Sequence, residues 1–481
     1  MSVAKDKLFI DGAWIDSQEK KTIEIKSPID GAKLGSAQIA TSEDVNKAVE
    51  AASSAADKWG RTHFVERAEI MHKAADIFEK RFEELVNLLI MEQGKPKADA
   101  QIESQGCVNY FRDAAEDIKR LQTDMLPSID PKKRVYTIRQ PYGVFGVITP
   151  WNFPFDIPCF IIAPVLASGN TLVFKPAEQT PLCGAKIVEC LEKAGFPKGV
   201  VNLVQGPGEI TGEAMSANGE INAIAFTGSI ETGRRIAERA GKTIKHLLLE
   251  LGGNGPVIVL DDADLELATE AIALSCYMNA GQVCNAGERI LVTKQMNDRL
   301  TKSLLQKTAQ IKLGDPRLPE TTMGPLIDET VASKIDSHIK DAVEKGAKLT
   351  VGGKRATGFP TKLYFEPTIL NDVSPDMLIS REETFGPVCP LIECENIEEA
   401  AQIANQTDYG LMSSVFTKDL AKGIKLAELI KTGTVAINTP SNYWEGRLPW
   451  GGMRKSGLGR QGGIQSIISM TQLKTIILDL G

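Results

Sequence analysis

Hydrophobic and polar positions follow two different periods along this chain. Between residues 41 and 59, Val45, Ala48, Val49 and Ala52 recur at helical spacing behind Thr41-Ser42-Glu43-Asp44, a start that can cap its own N–H groups. Two more helical stretches are predicted over about 66–91, stopped by Gly94 and Pro96, and over about 97–122. From Tyr142 the pattern shortens into β-rich runs at 142–149, 171–175, 200–204, 223–227 and 246–249. Helical or glycine-bounded segments separate them; the one at 183–194 opens behind Thr180-Pro181 and ends at Gly195. Strand–helix–strand alternation of this kind predicts βαβ units in a parallel, doubly wound sheet. A second α/β series starts at Gly252, with strands at 256–260, 289–293, 349–351, 388–392, 413–417 and 434–437. Its helices fall near 264–277, 296–311, 328–345, 396–405 and 418–430, which places a boundary at Gly252-Gly253.

Two short β-prone segments, 134–140 (RVYTIRQ) and 474–480 (KTIILDL), fit neither series. A terminal strand needs a partner edge, so both are expected in subunit pairing. The longest uncharged run, IPCFIIAPVLASGNTLVF, has 18 residues and is broken by Pro158, Pro164, Gly169 and Asn170. A spanning helix needs about 20 apolar residues without such breaks. A buried helix followed by a strand is expected instead, in a soluble protein. Residues 1–12 carry Lys5, Asp6 and Lys7 and no apolar stretch, so secretion is not expected.

Composition narrows the function classes. With 481 residues, 42% hydrophobic and 24% charged, the chain can bury large cores in several units, which excludes disorder or coiled coil as its main architecture. Its 55 basic and 62 acidic residues give a net charge of −7, so neither nucleic acid nor a membrane surface is an expected partner. The eight cysteines form no C-x-x-C pair and the four histidines no H-x-x-x-H. Free thiols in a reducing cytoplasm, and no metal, are the expectation.

Several motifs carry chemistry. Gly206-x-Gly208-x-x-x-Gly212 follows the run VVNLV and suits a phosphate-cradling turn, although a plain helix-opening turn reads equally well. Phe226-Thr227-Gly228-Ser229-x-x-x-Gly233 repeats the pattern after the next strand, and two such joints together favour a dinucleotide site. Lys175 and Glu178 lie just past a strand end, where open α/β sheets bind ligands. Of the eight cysteines, Cys284 stands out in the small, polar loop Asn279-Ala280-Gly281-Gln282-Val283-Cys284-Asn285-Ala286-Gly287, which presents a thiol accessibly. No histidine is near, so its base must be a carboxylate. Glu250, closing the apolar run Leu247-Leu248-Leu249 ahead of two glycines, is costly to bury without a role.

The motifs form one ordered set with Pro150-Trp151-Asn152-Phe153-Pro154, Glu382-Glu383-Thr384-Phe385-Gly386-Pro387 and Pro449-Trp450-Gly451-Gly452. In this order they resemble the NAD(P)-dependent aldehyde dehydrogenase superfamily, from about residue 8 to the C-terminus. The resemblance implies an α/β fold with a Rossmann-like cofactor domain over 1–122 and 142–251 and an α/β catalytic domain over 252–455. It adds a small β oligomerisation arm over 123–141 and 470–481, joining homodimers or homotetramers. It makes Cys284 the nucleophile that attacks the aldehyde to give a thiohemiacetal, its oxyanion held by the Asn152 amide and the Cys284 N–H. After hydride leaves to NAD, Glu250 activates water to hydrolyse the thioester. Members that pass the acyl group to coenzyme A generally lack this carboxylate, so a free acid is the expected product. The implied cofactor contacts are Ile148, Thr149, Trp151, Lys175, Glu178, Gly208, Gly212, Phe226, Thr227, Ser229, Leu251, Gly252, Glu383 and Phe385. Lys175 and Glu178 would take the adenosine ribose, and Glu383 and Phe385 the nicotinamide end. A carboxylate at 178 repels a 2′-phosphate, which favours NAD over NADP. Many members carry a Lys after PWNFP and a Glu after the last SGxGR; here Ile161 and Gln461 remove both charges together.

The substrate tunnel is expected at Phe153, Ile157, Phe160, Val283, Asn285, Trp444 and Trp450. The succinate-semialdehyde branch uses Arg at two tunnel positions that align with Phe160 and Met278, which disfavours a dicarboxylate-like substrate. The GQVCN loop is similar to that of lactaldehyde dehydrogenases, whose tunnel Arg again falls at Phe160. Aromatic faces, with Glu103 and Asp156 at the mouth, suit an amino or quaternary ammonium aldehyde. A small uncharged aldehyde, with both acids in solvent, is the other reading, and Arg447 reaching the tunnel would hold an anion. Outside the family reading stands a thiol esterase or acyltransferase using Cys284 and Glu250 without redox. A non-catalytic relative is disfavoured by the intact Cys–Glu–Asn set.

Overall fold

A computed structural model describes residues 6–481; the first five, part of the polar start noted above, lie outside the described residues. Two parallel-rich sheets carry most of the chain. The centre of the first runs His246–Leu251, Ala223–Gly228, Val144–Ile148, Thr171–Lys175, Val201–Leu203, all neighbours parallel. Leu8–Ile10 and Ala13–Ile15 close one edge and Gly457–Leu458 the other, each antiparallel to its neighbour. Every residue of Val144–Ile148 and Thr171–Lys175 is buried, as required of strands covered on both faces. Among the five parallel strands Val144–Ile148 comes first in sequence, and later ones are laid down on both of its sides. That reversal opens a crevice beyond the strands' C-terminal ends.

The second sheet runs Lys348–Val351, Thr368–Asn371, Val388–Cys394, Gly287–Thr293, Gly255–Val259, Met412–Phe416, Thr434–Ile437, parallel except for its first pair. Ile258, Leu291 and Val415 anchor its core together with Ala268 and Ile272 of the helix Leu265–Tyr277. The chain passes from one sheet to the other over residues 252–254. Glu250, one residue from the end of a first-sheet strand, and Cys284, just ahead of a second-sheet strand, therefore meet where the sheets adjoin.

The two orphan β segments find each other: Thr471–Asp479 pairs antiparallel with Lys133–Pro141 along its whole length, and Met125–Leu126 adds a third strand. Leu473, Ile477 and Leu478 on this ribbon stay exposed. The single helix expected over 66–91 is two, Phe64–Lys80 and Phe82–Gln93. They break at Arg81 (φ −103°, ψ 12°), whose guanidinium donates to Glu84 at 2.7 Å and Glu189 at 3.0 Å. Asp156–Ala167 is the buried helix expected before the strand at 171–175. Among the described residues no helix is long and apolar enough to cross a membrane.

Candidate active site

A cavity of about 370 Å³ opens where the sheets adjoin, and Cys284, Glu250 and Thr227 lie at its inner end. Cys284 alone among the eight free cysteines is partly accessible; the other seven are buried. Its loop is held rather than flexible. Asn279 (φ 50°) and Ala280 (φ 56°) are left-handed, a conformation costing of order 1 kcal/mol or more per residue unless the surroundings impose it. The surroundings do so: Asn279 Nδ2 donates to the Gln282 carbonyl at 3.3 Å and Gln282 Nε2 to the Asn279 carbonyl at 2.9 Å. Gly253 packs so closely on this loop that a Cβ there would collide with the Cys284 carbonyl oxygen.

Burial sets the electrostatics. The Glu250 carboxyl is buried and pushed up to about 7, and is eased only by the Cys284 thiol and the Trp450 indole N–H, which donates to Oε1 at 3.3 Å. Burial pushes the Cys284 thiol well above its ordinary value, and the neighbouring Glu250 and Glu383 carboxyls push it further. A thiol beside a carboxyl poised near neutrality is an acid–base pair. Asn152 is buried, and its Nδ2 donates to the Gln282 carbonyl at 3.1 Å. One amide hydrogen remains over for a ligand beside the nucleophile loop.

All seven residues expected to line a substrate tunnel, Phe153, Ile157, Phe160, Val283, Asn285, Trp444 and Trp450, border this cavity. Met278 borders it too, but Arg447 does not; its exposed guanidinium is turned onto Asp113. Glu103 borders the cavity, as expected, but is buried rather than solvated. Its carboxylate is buried against Lys95 and accepts the Phe155 and Asp156 N–H groups at 2.8 and 3.2 Å. Asp156 does face the cavity. Its Oδ1 accepts from Tyr110 at 2.8 Å, the Tyr110 hydroxyl accepts from the Trp444 indole at 2.7 Å, and burial pushes the carboxyl up to about 7. Asp99, Ile102 and Asn442 also border the cavity and had no signal in the sequence. Asn442 Nδ2 is turned to the Leu274 carbonyl at 3.3 Å, which leaves Oδ1 buried and without a partner.

The residues expected at a cofactor fall into two groups. Thr149, Lys175, Glu178, Thr227 and Ser229 lie at or just beyond the ends of the central strands, along the crevice. Thr149 Oγ1 is buried without a partner, and the buried Lys175 ammonium reaches the Pro176 carbonyl at 3.0 Å and Glu178 at 3.4 Å. Ser229 caps the following helix by accepting the Thr232 N–H at 3.2 Å. Gly208 and Gly212 bound a π-helical turn, with nothing within reach of a Cβ at either. Ile148, Phe226 and Leu251 put their side chains into the core instead, leaving only main chain for a ligand. The second group is nearer the thiol. Glu383 Oε1 accepts the Gly253 N–H at 2.8 Å, beside Gly252, and Phe385 meets Trp151 edge-on at 5.6 Å. Glu288, which drew no attention in the sequence, fixes this segment by accepting the Thr384 and Phe385 N–H groups at 2.8 and 2.9 Å.

Two doubly wound sheets joined at a thiol-bearing cavity are the architecture of an α/β oxidoreductase. Residues 14–476 match the model of the aldehyde dehydrogenase family, and the chain belongs to that family. It is 38% identical over 474 residues to an alpha-ketoglutaric semialdehyde dehydrogenase of Bacillus subtilis, covering 98% of this chain and 97% of that one. It is also 38% identical over 473 residues to a betaine aldehyde dehydrogenase of the same organism, covering 98% and 96%. A solved structure of an NADP-dependent enzyme of E. coli superposes with a TM-score of 0.97 at 37% identity, covering 99% of this chain and 98% of that one. Betaine aldehyde dehydrogenase of Staphylococcus aureus in complex with NAD+ gives a TM-score of 0.97 at 36% identity, covering 99% and 95%.

Proposed function

We propose that this aldehyde dehydrogenase oxidises an aldehyde to the free acid with NAD, and that its substrate carries a hydrogen-donating tail, amino or hydroxyl, rather than an anionic one. The observation that carries the chemistry is the pairing of Cys284 with a buried Glu250 carboxyl at about 7. Glu250 takes the thiol proton, and the sulfur adds to the aldehyde carbon to form a thiohemiacetal. The Asn152 amide and the Cys284 main-chain N–H donate to the developing oxyanion. Bound in the crevice, NAD supplies the acceptor for the hydride that the adduct releases. Glu250 gives up the thiol proton to solvent, then takes a proton from water as the water attacks the thioester, and returns it to the departing Cys284 sulfur as the acid leaves. Aldehyde, water and NAD+ thus become acid, NADH and a proton.

Unpartnered Thr149 Oγ1, the buried Lys175 ammonium and the Glu178 carboxylate suit a dinucleotide held across the crevice. A ribose diol can donate to Glu178, whereas a 2′-phosphate is repelled by it, which favours NAD. Glu383 and Phe385 would then meet the nicotinamide end. The exposed apolar ribbon around Ile477 fits pairing with a second copy into a dimer or tetramer. Eight unbridged thiols fit a reducing cytoplasm.

For the tail, the decisive feature is charge: the cavity is bordered by Asp99, Glu103, Asp156 and Glu250 and by no Lys, Arg or His. Asn442 Oδ1 adds an empty acceptor, and Phe160, Trp444 and Trp450 add aromatic walls. A succinate-like tail would find carboxyl groups and no cationic side chain there, although semialdehyde dehydrogenases are among the relatives. NADH formation measured across propionaldehyde, hydroxyaldehydes, aminoaldehydes, betaine aldehyde and succinate semialdehyde tests this. Highest kcat/KM for an amino or hydroxyl aldehyde is expected; highest kcat/KM for succinate semialdehyde defeats the tail assignment. Ester or thioester hydrolysis with no NADH from any aldehyde points to a thiol hydrolase instead.

A further inference from the structure

Lys95 and Glu103 take no part in the chemistry above, yet their ion pair is the most deeply buried among the described residues, with side chains 0% and 1% exposed. Taking two charges out of water is costly, and a pair of apolar side chains would fill the same space more cheaply. Their polar contacts converge on one short segment. Lys95 Nζ donates to Glu103 Oε2 and, at 2.9 Å, to the Asn152 carbonyl, and it sits 3.6 Å above the Phe153 ring. Glu103 Oε1 accepts the N–H groups of Phe155 and Asp156. The turn at 152–156 is thereby gripped at both ends by charge-assisted bonds, the strong class of hydrogen bond.

The following helix, Asp156–Ala167, reaches back to this turn only at the Phe153 and Phe155 carbonyls, which accept from the Ile157 and Cys159 N–H groups, and it does not reach Asn152. What holds Asn152 is therefore side chains. Its carbonyl also receives Asn279 Nδ2 at 3.1 Å, Asn279 Oδ1 receives Gln93 Nε2 at 3.0 Å, and its own amide reaches the nucleophile loop at Gln282. Gln93 lies two residues before Lys95, at the end of the helix Phe82–Gln93. One continuous buried network thus runs from that helix end, through Lys95–Glu103, to the amide beside Cys284.

We propose that the Lys95–Glu103 pair is a positioning device for the oxyanion hole: it fixes the 152–156 turn so that the Asn152 amide is aimed at the carbonyl oxygen as charge develops. The inference rests on Asn152 being the oxyanion donor. An amide aimed in advance spends nothing on reorganisation when the adduct forms, and a misplacement of about 1 Å is enough to cost a large factor in rate. Lys95 does not border the cavity, and the Glu103 carboxylate, which does, is turned onto Lys95 and the Phe155 and Asp156 N–H groups, so the pair acts through the turn that carries Asn152.

The test is a double-mutant cycle on the full chain. Lys95→Met/Glu103→Gln removes both charges without stranding either, and Lys95→Gln/Glu103→Gln, which also removes both and keeps polar groups in place, is the second variant should the first fail to fold. Asn152→Ala alone is expected to lower kcat, and an unchanged kcat there sinks the oxyanion assignment beneath this inference rather than the positioning itself. In the native background the charge-removed variant is expected to bind NAD with unchanged affinity and alkylate at Cys284 at the native rate. Its kcat should fall about tenfold or more. In the Asn152→Ala background the same change should cost less than about twofold, because its effect passes through a group already gone. Equal losses in both backgrounds, or a folded variant with native kcat, overturn the proposal.

Discussion

The inner and outer ends of the cavity are built from different material. At the inner end, Glu250 and Cys284 come from a strand end and a loop locked by left-handed residues, and burial perturbs both strongly. At the outer end, Ile102, Tyr443 and Leu274 are exposed, and burial pushes up both Asp99 and Asp156, the latter held in a chain from Trp444 through Tyr110. The difference assigns the work: a dry, rigid end tuned for proton movement, and a wetter end whose charge sorts substrates. Changes at the inner end should strike kcat, and changes at the outer end KM.

The largest expected effect is Cys284→Ala, which should abolish NADH formation while leaving NAD binding intact, as read by fluorescence titration. Next comes Glu250→Gln: steady turnover should fall by about 10²–10⁴-fold, and the single burst of NADH per site should be slowed as well, because the same carboxylate takes the thiol proton. Only the Glu250 carboxylate is a base, so kcat should climb as pH rises through about 7, and that limb should vanish in the variant. Stability carries the opposite sign. The folded protein holds this proton between its ordinary 4.5 and about 7, so ionisation above that window disfavours the fold. Melting curves should show the variant gaining on the native chain as pH rises across it. A smaller effect is expected at the outer end, where Asp156→Asn should raise KM for a cationic aldehyde by about tenfold and leave kcat and propionaldehyde nearly unchanged. A loss of kcat there instead would erase the division between the two ends. Smallest is Glu178→Ala, which should narrow the preference for NAD over NADP without altering aldehyde KM.

The inner end was largely legible in the sequence, since Glu250 closes an apolar run and Cys284 sits in a loop of small residues. Both are anomalies that local pattern exposes. The outer end was legible only in part: its aromatic walls and Asp156 were anticipated, but Asn442 and Asp99 look like ordinary polar residues until distant segments close on them. Arg447 misled in the same way: reach along the chain says nothing about Asp113, which captures it. In the fold, the parallel strands were recognisable as continuous apolar runs. The helix break at Arg81 was not, because it uses side-chain ion pairs rather than glycine or proline. Leu8–Ile10 and Ala13–Ile15 escaped because they are three residues each. Lys95, between the helix-stopping Gly94 and Pro96, drew no reading of its own, since a buried ammonium is indistinguishable in sequence from a solvated one.

Gly253 lies in the stretch where the chain changes sheets, and a side chain there would press on the Cys284 carbonyl. The crossover and the reactive sulfur consequently share one mechanical tolerance. Grafting the second sheet of another such enzyme onto this first sheet would succeed only with that seam transplanted whole, because a shift of the seam is also a shift of the warhead.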